Sequence, residues 1–169
     1  MALVLTTRIA GRGDAAAVAA LWTAASAGRT TDVGLPPGPA ADAERQVQIR
    51  LADPGSFAAL AEDDGTLVAA AIVLQALSQD GAGRDPVAGL AHVSMVAVHP
   101  ERWGQGLGRL VMELAQREAG ERGFTRAQLW THETNQRAQR LYERLGWTAS
   151  GRTKLDDQGE PIRHYVRDL

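Results

Sequence analysis

The stretch HVSMVAVHPERWGQGLGRLV, residues 92–111, restricts the fold more than any other part of the chain. It opens on apolar residues of high β-propensity, breaks at His99-Pro100, and passes three glycines at alternate positions, Gly104, Gly106 and Gly108. Leu107, Leu110, Val111 and Leu114 then follow at helical spacing. Proline cannot continue a central strand and the 3.6-residue period requires a helix, so the segment reads as strand, tight turn, helix. A helix start exposes unpaired N–H groups and a partial positive charge, and glycine lets a phosphate come close to them. A strand-to-helix turn that binds nothing has the same pattern.

The same periodicities order the rest of the chain. Residues 3–9 read as a first strand, and Asp14 is placed to cap a helix striped by Val18, Leu21, Trp22 and Ala25. Residues 27–42, rich in Gly, Pro and Thr, read as a loop, and AERQVQIRLAD as a second helix. SFAALAE and TLVAAAIVLQAL flank Asp63-Asp64-Gly65, a hairpin signal, and residues 78–89 form another turn-rich stretch. Beyond the glycines come a strand in FTRAQLWT, a helix with Ala138, Leu141, Tyr142 and Leu145 that stops at Gly146, and a hairpin around DDQGEP. The order β-α-α-β-β-β-α-β-α-β-β predicts one α/β domain over residues 1–169, with a single mixed central sheet.

Composition narrows the function. A chain of 169 residues, 44% hydrophobic, is sized for one core. Eighteen basic against 20 acidic residues, without runs of like charge, point away from nucleic acid and membrane surfaces and toward a small partner. The absence of cysteine excludes disulfides, thiolate nucleophiles and Cys-type zinc sites, and fits a cytoplasmic location. His92, His99, His132 and His164 show no metal-ligand spacing, so no metal is expected. The apolar run at 67–74 is far short of the roughly 20 residues of a membrane span, and no charged segment precedes the apolar N-terminus as in a signal peptide.

Two familiar glycine motifs fail on detail. A P-loop ends in Gly-Lys-Ser/Thr, whereas Gly108 precedes Arg109 and Leu110. The dinucleotide fingerprint needs GxGxxG after a first strand, and here the spacing is GxGxG in mid-chain. WGQGLG, residues 103–108, instead resembles the R/Q-x-x-G-x-G/A motif of the GCN5-related N-acetyltransferases (GNAT), with Trp103 in place of the usual Arg or Gln. NQRAQRLYERLGW resembles that family's second motif through Asn135, Ala138, Tyr142 and Gly146-Trp147. Two motifs about 30 residues apart, in order, are more specific than either alone, and the resemblance covers residues 55–169.

The resemblance implies an acyl-CoA N-acyltransferase fold: a mostly antiparallel central sheet, flanked by helices, whose central strands splay apart around acetyl-CoA. By similarity, the backbone of Val96, Ala97 and Val98 meets the pantetheine arm. The amides of Trp103, Gly104, Gln105, Gly106, Leu107 and Gly108 meet the pyrophosphate, with Gln105 and Arg109 beside the phosphates. Asn135 bonds the pantetheine, although an Asn at that position equally caps a helix. Tyr142 takes the place of the proton donor to the leaving thiolate, although it also continues an apolar stripe and could be a core tyrosine.

An amine with a pKa near 10.4 is more than about 99.9% protonated at pH 7, so attack on a thioester needs a base. AHVSMVAVH resembles the arylalkylamine branch of the family, which has histidines where this chain has His92 and Ser94; histone-acetylating members have a glutamate at the His92 position. His92 and Ser94 share a strand face with Val96 and Val98 if no bulge intervenes, and imidazole near neutral pH suits proton removal. A half-buried strand histidine bonded to a neighbour has the same sequence signature. His99, His132 and His164 match no catalytic position and read as surface or strand-end residues.

The expected activity is acetyl transfer from acetyl-CoA to a primary amine of a small molecule by direct attack. A CoA-binding sensor without turnover and a protein or peptide N-acetyltransferase are the alternatives. The acceptor site is expected from loops 27–42 and 78–89 and the last hairpin, where Asp32, Asp156, Asp157 and Glu160 could attract a cationic amine. Dimers are common in the family, so a homodimer is also an expectation.

Overall fold

Residues 57–61 and 68–73 are buried without a break, and this places them in the middle of a sheet covered on both faces. The computed structural model describes residues 4–35 and 42–169. Its elements run β1 (Leu5–Ala10), α1 (Ala15–Val33), α2 (Ala43–Arg50), β2 (Phe57–Asp63), β3 (Thr66–Leu77) and β4 (Pro86–Val98). They continue through α3 (Leu107–Glu121), β5 (Arg126–His132), α4 (Gln136–Arg144), β6 (Thr148–Leu155) and β7 (Pro161–Asp168). The element order is the one expected from the sequence. Among the described residues no helix is long and apolar enough to cross a membrane.

The seven strands form one sheet in the order β1-β2-β3-β4-β5-β7-β6. Only β4 and β5 pair in parallel, so the sheet is mixed and mostly antiparallel. Alternate residues of β2 and β3 divide between two cores. Phe57, Ala59, Ala61, Ala69, Ala71 and Val73 pack with Val111, Met112 and Ala115 of α3. Ala58, Leu60, Ala70 and Ile72 pack on the other face with Val18 and Leu21 of α1 and Val47 of α2. The β2–β3 hairpin turns at Asp64 (φ 48°) and Gly65 (φ 77°), the left-handed pair that such a two-residue turn requires.

Two local expectations are corrected. Asp14 sits at the start of α1 but makes no side-chain cap; its carboxylate pairs with Arg8 at 2.7 Å, and a charged partner outcompetes a neutral amide. Residues 27–33, expected in a loop, continue α1, while residues 36–41 of that stretch and residue 3 of the first strand lie outside the described residues. The Thr30 and Thr31 hydroxyls donate back to the carbonyls of Ser26 and Ala27, so these residues satisfy themselves within the helix. The helix ends at Gly34, which takes φ 71° while its N–H donates to Thr30.

The extended α1 leans on the turn after β4. A Cβ at Gly28 would lie 2.7 Å from Cγ of Pro100 and 2.9 Å from the Trp103 ring. Alanine ordinarily stabilises a helix interior by about 1 kcal/mol over glycine, whereas overpacking against a rigid proline ring costs about 1–3 kcal/mol. Gly28→Ala is therefore expected to lower stability, read as a lower urea midpoint with unchanged m-value.

Candidate functional site

Pairing between β4 and β5 covers Leu90–Val93 against Arg126–Leu129 and then stops. From Met95 onward β4 stays paired with β3 but has no strand partner on its β5 side among the described residues. The strands diverge into a cleft of about 1580 Å³, lined on one side by Ser94, Met95, Val96 and Val98 and on the other by Leu129, Trp130, Thr131 and His132. A strand edge that faces a gap carries unpaired main-chain donors and acceptors, which is a demand for a partner.

A β-bulge sits at the mouth of the gap. The register passes from Ile72↔Met95 to Val73↔Val93, leaving Ser94 unmatched. The extra residue switches faces: Ala91 and Val93 belong to the α3-side core and so do Val96 and Val98, while Met95 and Ala97 join the α1/α2 side. This corrects the expectation that His92 and Ser94 share a face with Val96 and Val98. Ser94 is turned to α2, where its Oγ accepts from Arg50 Nε at 2.8 Å. Ala97 is buried, so only its backbone could serve a ligand.

At one end of the cleft lies the start of α3. Gly106 occupies the cap position with φ 80° and supplies no side-chain cap, and the first helical bond runs from Leu110 N to Gly106 O. The amides from Gly104 to Arg109 are left without helical acceptors, whereas the Trp103 N–H already donates to the Pro100 carbonyl at 3.3 Å. Gly104, Gly106, Leu107, Gly108 and Arg109 line the cleft here. Gly108 permits a close approach, since a Cβ there would lie 3.0 Å from Leu141 of α4. Gln105 does not line the cleft; its Oε1 accepts from Arg102 Nε at 2.8 Å, and Arg102 in turn pairs with Asp63. Arg109 is exposed and paired with Glu113. Trp103 donates from Nε1 to the Val98 carbonyl at 2.9 Å, and Arg137 stacks 4.1 Å from its ring centroid. Arg137 also pairs with Asp32 at 3.2 Å, bridging α4 to α1.

Asn135 lines the cleft and caps α4, its Oδ1 accepting from Ala138 N at 3.2 Å. Tyr142 also lines the cleft, buried between Trp147 and Tyr165, and its hydroxyl makes no hydrogen bond among the described residues. Burial pushes that hydroxyl up to about 12, partly opposed by the nearby Arg29 guanidinium. Tyr142 is thus both a core ring and a protonated hydroxyl facing a cavity.

At the other end, His92 has a buried Nδ1 without a partner. Burial, then the positive charges of Lys154, Arg50 and His164, hold the imidazole down to about 4, with Asp80 acting in the opposite direction. At neutral pH the imidazole is therefore uncharged. His164 is buried rather than at a surface or strand end, with its ring nitrogens bonded to Gln128 Oε1 (3.0 Å) and Ser150 Oγ (2.7 Å). His132 closes β5 and meets Asp156 at 2.9 Å. Burial alone would raise the Asp156 carboxyl, but His132 and the amides of Glu160 and Gln158 outweigh it and leave it below the usual range.

Several cleft residues carry no signal in the sequence. Trp22, Arg29, Gln46 and Arg50 arrive from α1 and α2, Asp80 from the β3–β4 loop, Trp130 from β5 and Lys154 from β6. Nothing local distinguishes Arg29 or Arg50 from the other basic residues. Asp80 is tied to Arg152 of β6, and Lys154 lies 4.4 Å from the Trp130 ring centroid.

The sequence model of the Acetyltransferase (GNAT) family matches residues 21–147. Mycothiol acetyltransferase of Thermobispora bispora is 36% identical over 110 residues, 63% of this chain and 35% of that protein, so the match spans about a third of that relative's length. Among solved structures, the ribosomal-protein-S18-alanine N-acetyltransferase of Escherichia coli aligns with a TM-score of 0.74 at 20% identity, covering 98% of this chain and 94% of that one. The PaiA N-acetyltransferase of Thermoplasma acidophilum, in complex with coenzyme A, aligns over 100% of both chains with a TM-score of 0.70 at 13% identity. These structural likenesses establish the acyl-CoA N-acyltransferase fold, and the divergence of β4 from β5 is its splayed pair.

The His92 environment has a consequence for stability. An unfolded histidine takes up its proton near pH 6.5, whereas the folded His92 does so only near 4. Lowering the pH through that window therefore favours the unfolded chain, by up to about 3 kcal/mol from this group. His164, also lowered, acts with the same sign. In urea titrations from pH 7 to pH 4, His92→Gln should lose less stability than the native chain.

Proposed function

The chain belongs to the acetyltransferase (GNAT) family, and we propose that it moves an acetyl group from acetyl-CoA to a primary amine of a small molecule by direct attack. The observation that carries this reading is that one cleft joins the uncapped start of α3, the unpaired edge of β4 and the Tyr142 hydroxyl. The coenzyme's chemistry fits those groups. A Cβ on Gly104 or Gly106 would project into open space, so the backbone there is approachable, and a helix start favours a diphosphate. Arg140 and Arg144, both cleft residues without a carboxylate partner among the described residues, add positive charge for phosphates.

In this reading the amides from Gly104 to Gly108, with Arg109, hold the diphosphate, and the backbone of Val96 to Val98 holds the pantetheine together with Asn135; the Trp103 amide is taken by the Pro100 carbonyl. Gln105 contributes its amide, since its side chain is engaged by Arg102. Acetyl-CoA supplies an acyl carbon activated as a thioester. Tyr142, protonated throughout the neutral range, donates to the sulfur as negative charge develops there. Full transfer to a thiolate of ordinary pKa near 8.5 would be uphill by roughly 5 kcal/mol, but burial raises a thiolate by the same desolvation, which narrows the mismatch.

His92 acts as a neutral acceptor. Taking a proton from a free ammonium near 10.4 onto an imidazole held at about 4 is uphill by roughly 9 kcal/mol. The acceptor amine therefore enters attack uncharged, and His92 receives its proton as the nitrogen bonds to the acyl carbon and that proton becomes more acidic.

Calorimetry is expected to detect binding of CoA and acetyl-CoA, and loss of both would overturn the reading. Tyr142→Phe should retain acetyl-CoA affinity while kcat falls by roughly 10²-fold. Binding without thioester consumption across a panel of amines would indicate a sensor instead.

A further inference from the structure

We propose that the acceptor bears a carboxylate as well as its reacting amine, and that Arg50 and Ser94 hold this carboxylate; the inference rests on the acetyl-transfer reading above. Arg50 closes α2 and lines the cleft with His92 and Ser94. Its Nε donates to Ser94 Oγ (2.8 Å) and its Nη1 to the Gln46 carbonyl (3.0 Å) and Oε1 (3.1 Å), while the guanidinium carbon lies 5.3 Å from the Trp22 ring centroid. Three of its five N–H donors are thus committed, which fixes the guanidinium plane and leaves the two on Nη2 without a partner among the described residues. Ser94 Oγ accepts from Arg50 and makes no other hydrogen bond among them, so its own proton is available. A guanidinium N–H pair and a hydroxyl donor held together in this way match a carboxylate, and the bulge at Ser94 is what brings them together.

Charge accounting across the cleft points the same way. Of the arginines that line it, Arg102, Arg109 and Arg137 each meet a carboxylate within 4.0 Å; the exposed Arg140 and Arg144 and the half-buried Arg29 and Arg50 meet none among the described residues, and of these it is Arg50 that stands beside Ser94. Burial weakens its hold on its proton and no neighbouring acid compensates. Arg29, bonded among the described residues only to Ser26 Oγ at 2.9 Å, is a second half-buried cation of this kind, near Tyr142. A partly buried guanidinium without a counter-ion is costly, and a ligand that brings the counter-ion relieves the cost. Of the acids expected to attract a cationic amine, Asp32 is engaged with Arg137 and Asp156 with His132, and Asp80 of the cleft, which was not among them, is engaged with Arg152; Asp157 and Glu160 have no ion pair among the described residues. A carboxylate on Arg50 also offsets the positive field that weakens His92 as an acceptor. The chemical class is a free amino acid or a comparable small amino carboxylate.

The test compares the protein's kcat/KM, read as thiol release from acetyl-CoA, for the twenty common amino acids and a series of ω-amino acids against their methyl esters and carboxylate-free amines. The expected result is a preference for at least one free carboxylate over its ester of roughly 10²-fold. Arg50→Gln should remove that preference mainly through KM, leaving acetyl-CoA affinity unchanged, and Arg50→Lys should restore part of it. Ser94→Ala should weaken the preference in the same direction. Esters or simple amines acetylated as fast as carboxylates, or acetylation of carboxylate-free amines alone, would overturn the assignment while leaving acetyl transfer intact. Absence of acetyl-CoA binding would instead overturn the underlying reading. Since the comparison of carboxylate with ester is made on the native chain, it does not depend on the variants folding.

Discussion

The parting of β4 from β5 is the feature on which the rest of the molecule depends. Four matched residue pairs hold the strands together, and after Val93 and Leu129 the sheet is open while its outer pairs continue. An open edge inside a sheet costs backbone hydrogen bonds, so it persists only where flanking structure holds the strands apart and something else can occupy the edge. The flanking structure is in place on both sides. β4 is locked to β3 through Val98, and β5 to β7 through His132. The helices α3 and α4, which meet at Gly108 and Leu141, cover the widening gap.

The bulge at Ser94 turns this gap into two differentiated ends. With strict alternation, the side chains of His92, Ser94, Val96 and Val98 would crowd one face. The additional residue instead sends Val96 and Val98 to the α3 side and Ser94 to α2, so the open backbone edge and the polar side chains are separated along a single strand. Burial then assigns protonation states by the sign of each group: the Tyr142 hydroxyl is pushed up and keeps its proton, while the His92 imidazole is pushed down and stays neutral. One physical cause leaves a protonated hydroxyl and a neutral imidazole in the same cleft.

Local periodicity made most of the architecture legible. The strand-turn-helix at residues 92–111, the hairpin at Asp64-Gly65 and the α4 stripe ending at Gly146 each depend on neighbours within a few residues, and each was recovered. The continuous apolar run at 67–74 could signal a buried strand but not its two faces, since alternation vanishes where both sides are covered. The extension of α1 to Val33 was hidden because threonines and glycine argue for a loop, whereas back-bonding hydroxyls and contact with Pro100 and Trp103 override that propensity.

The sequence by itself determined the order of elements, the glycine turn at the start of α3, and the motif that carries Asn135 and Tyr142, because all of these are written in spacings of one to four residues. Only the tertiary structure decided which charges are answered. Arg50 meets Ser94 across 44 positions and Arg152 meets Asp80 across 72, and no local pattern encodes such distances. It also decided the face of His92, since a bulge is a mismatch between two strands and cannot be read from either one alone.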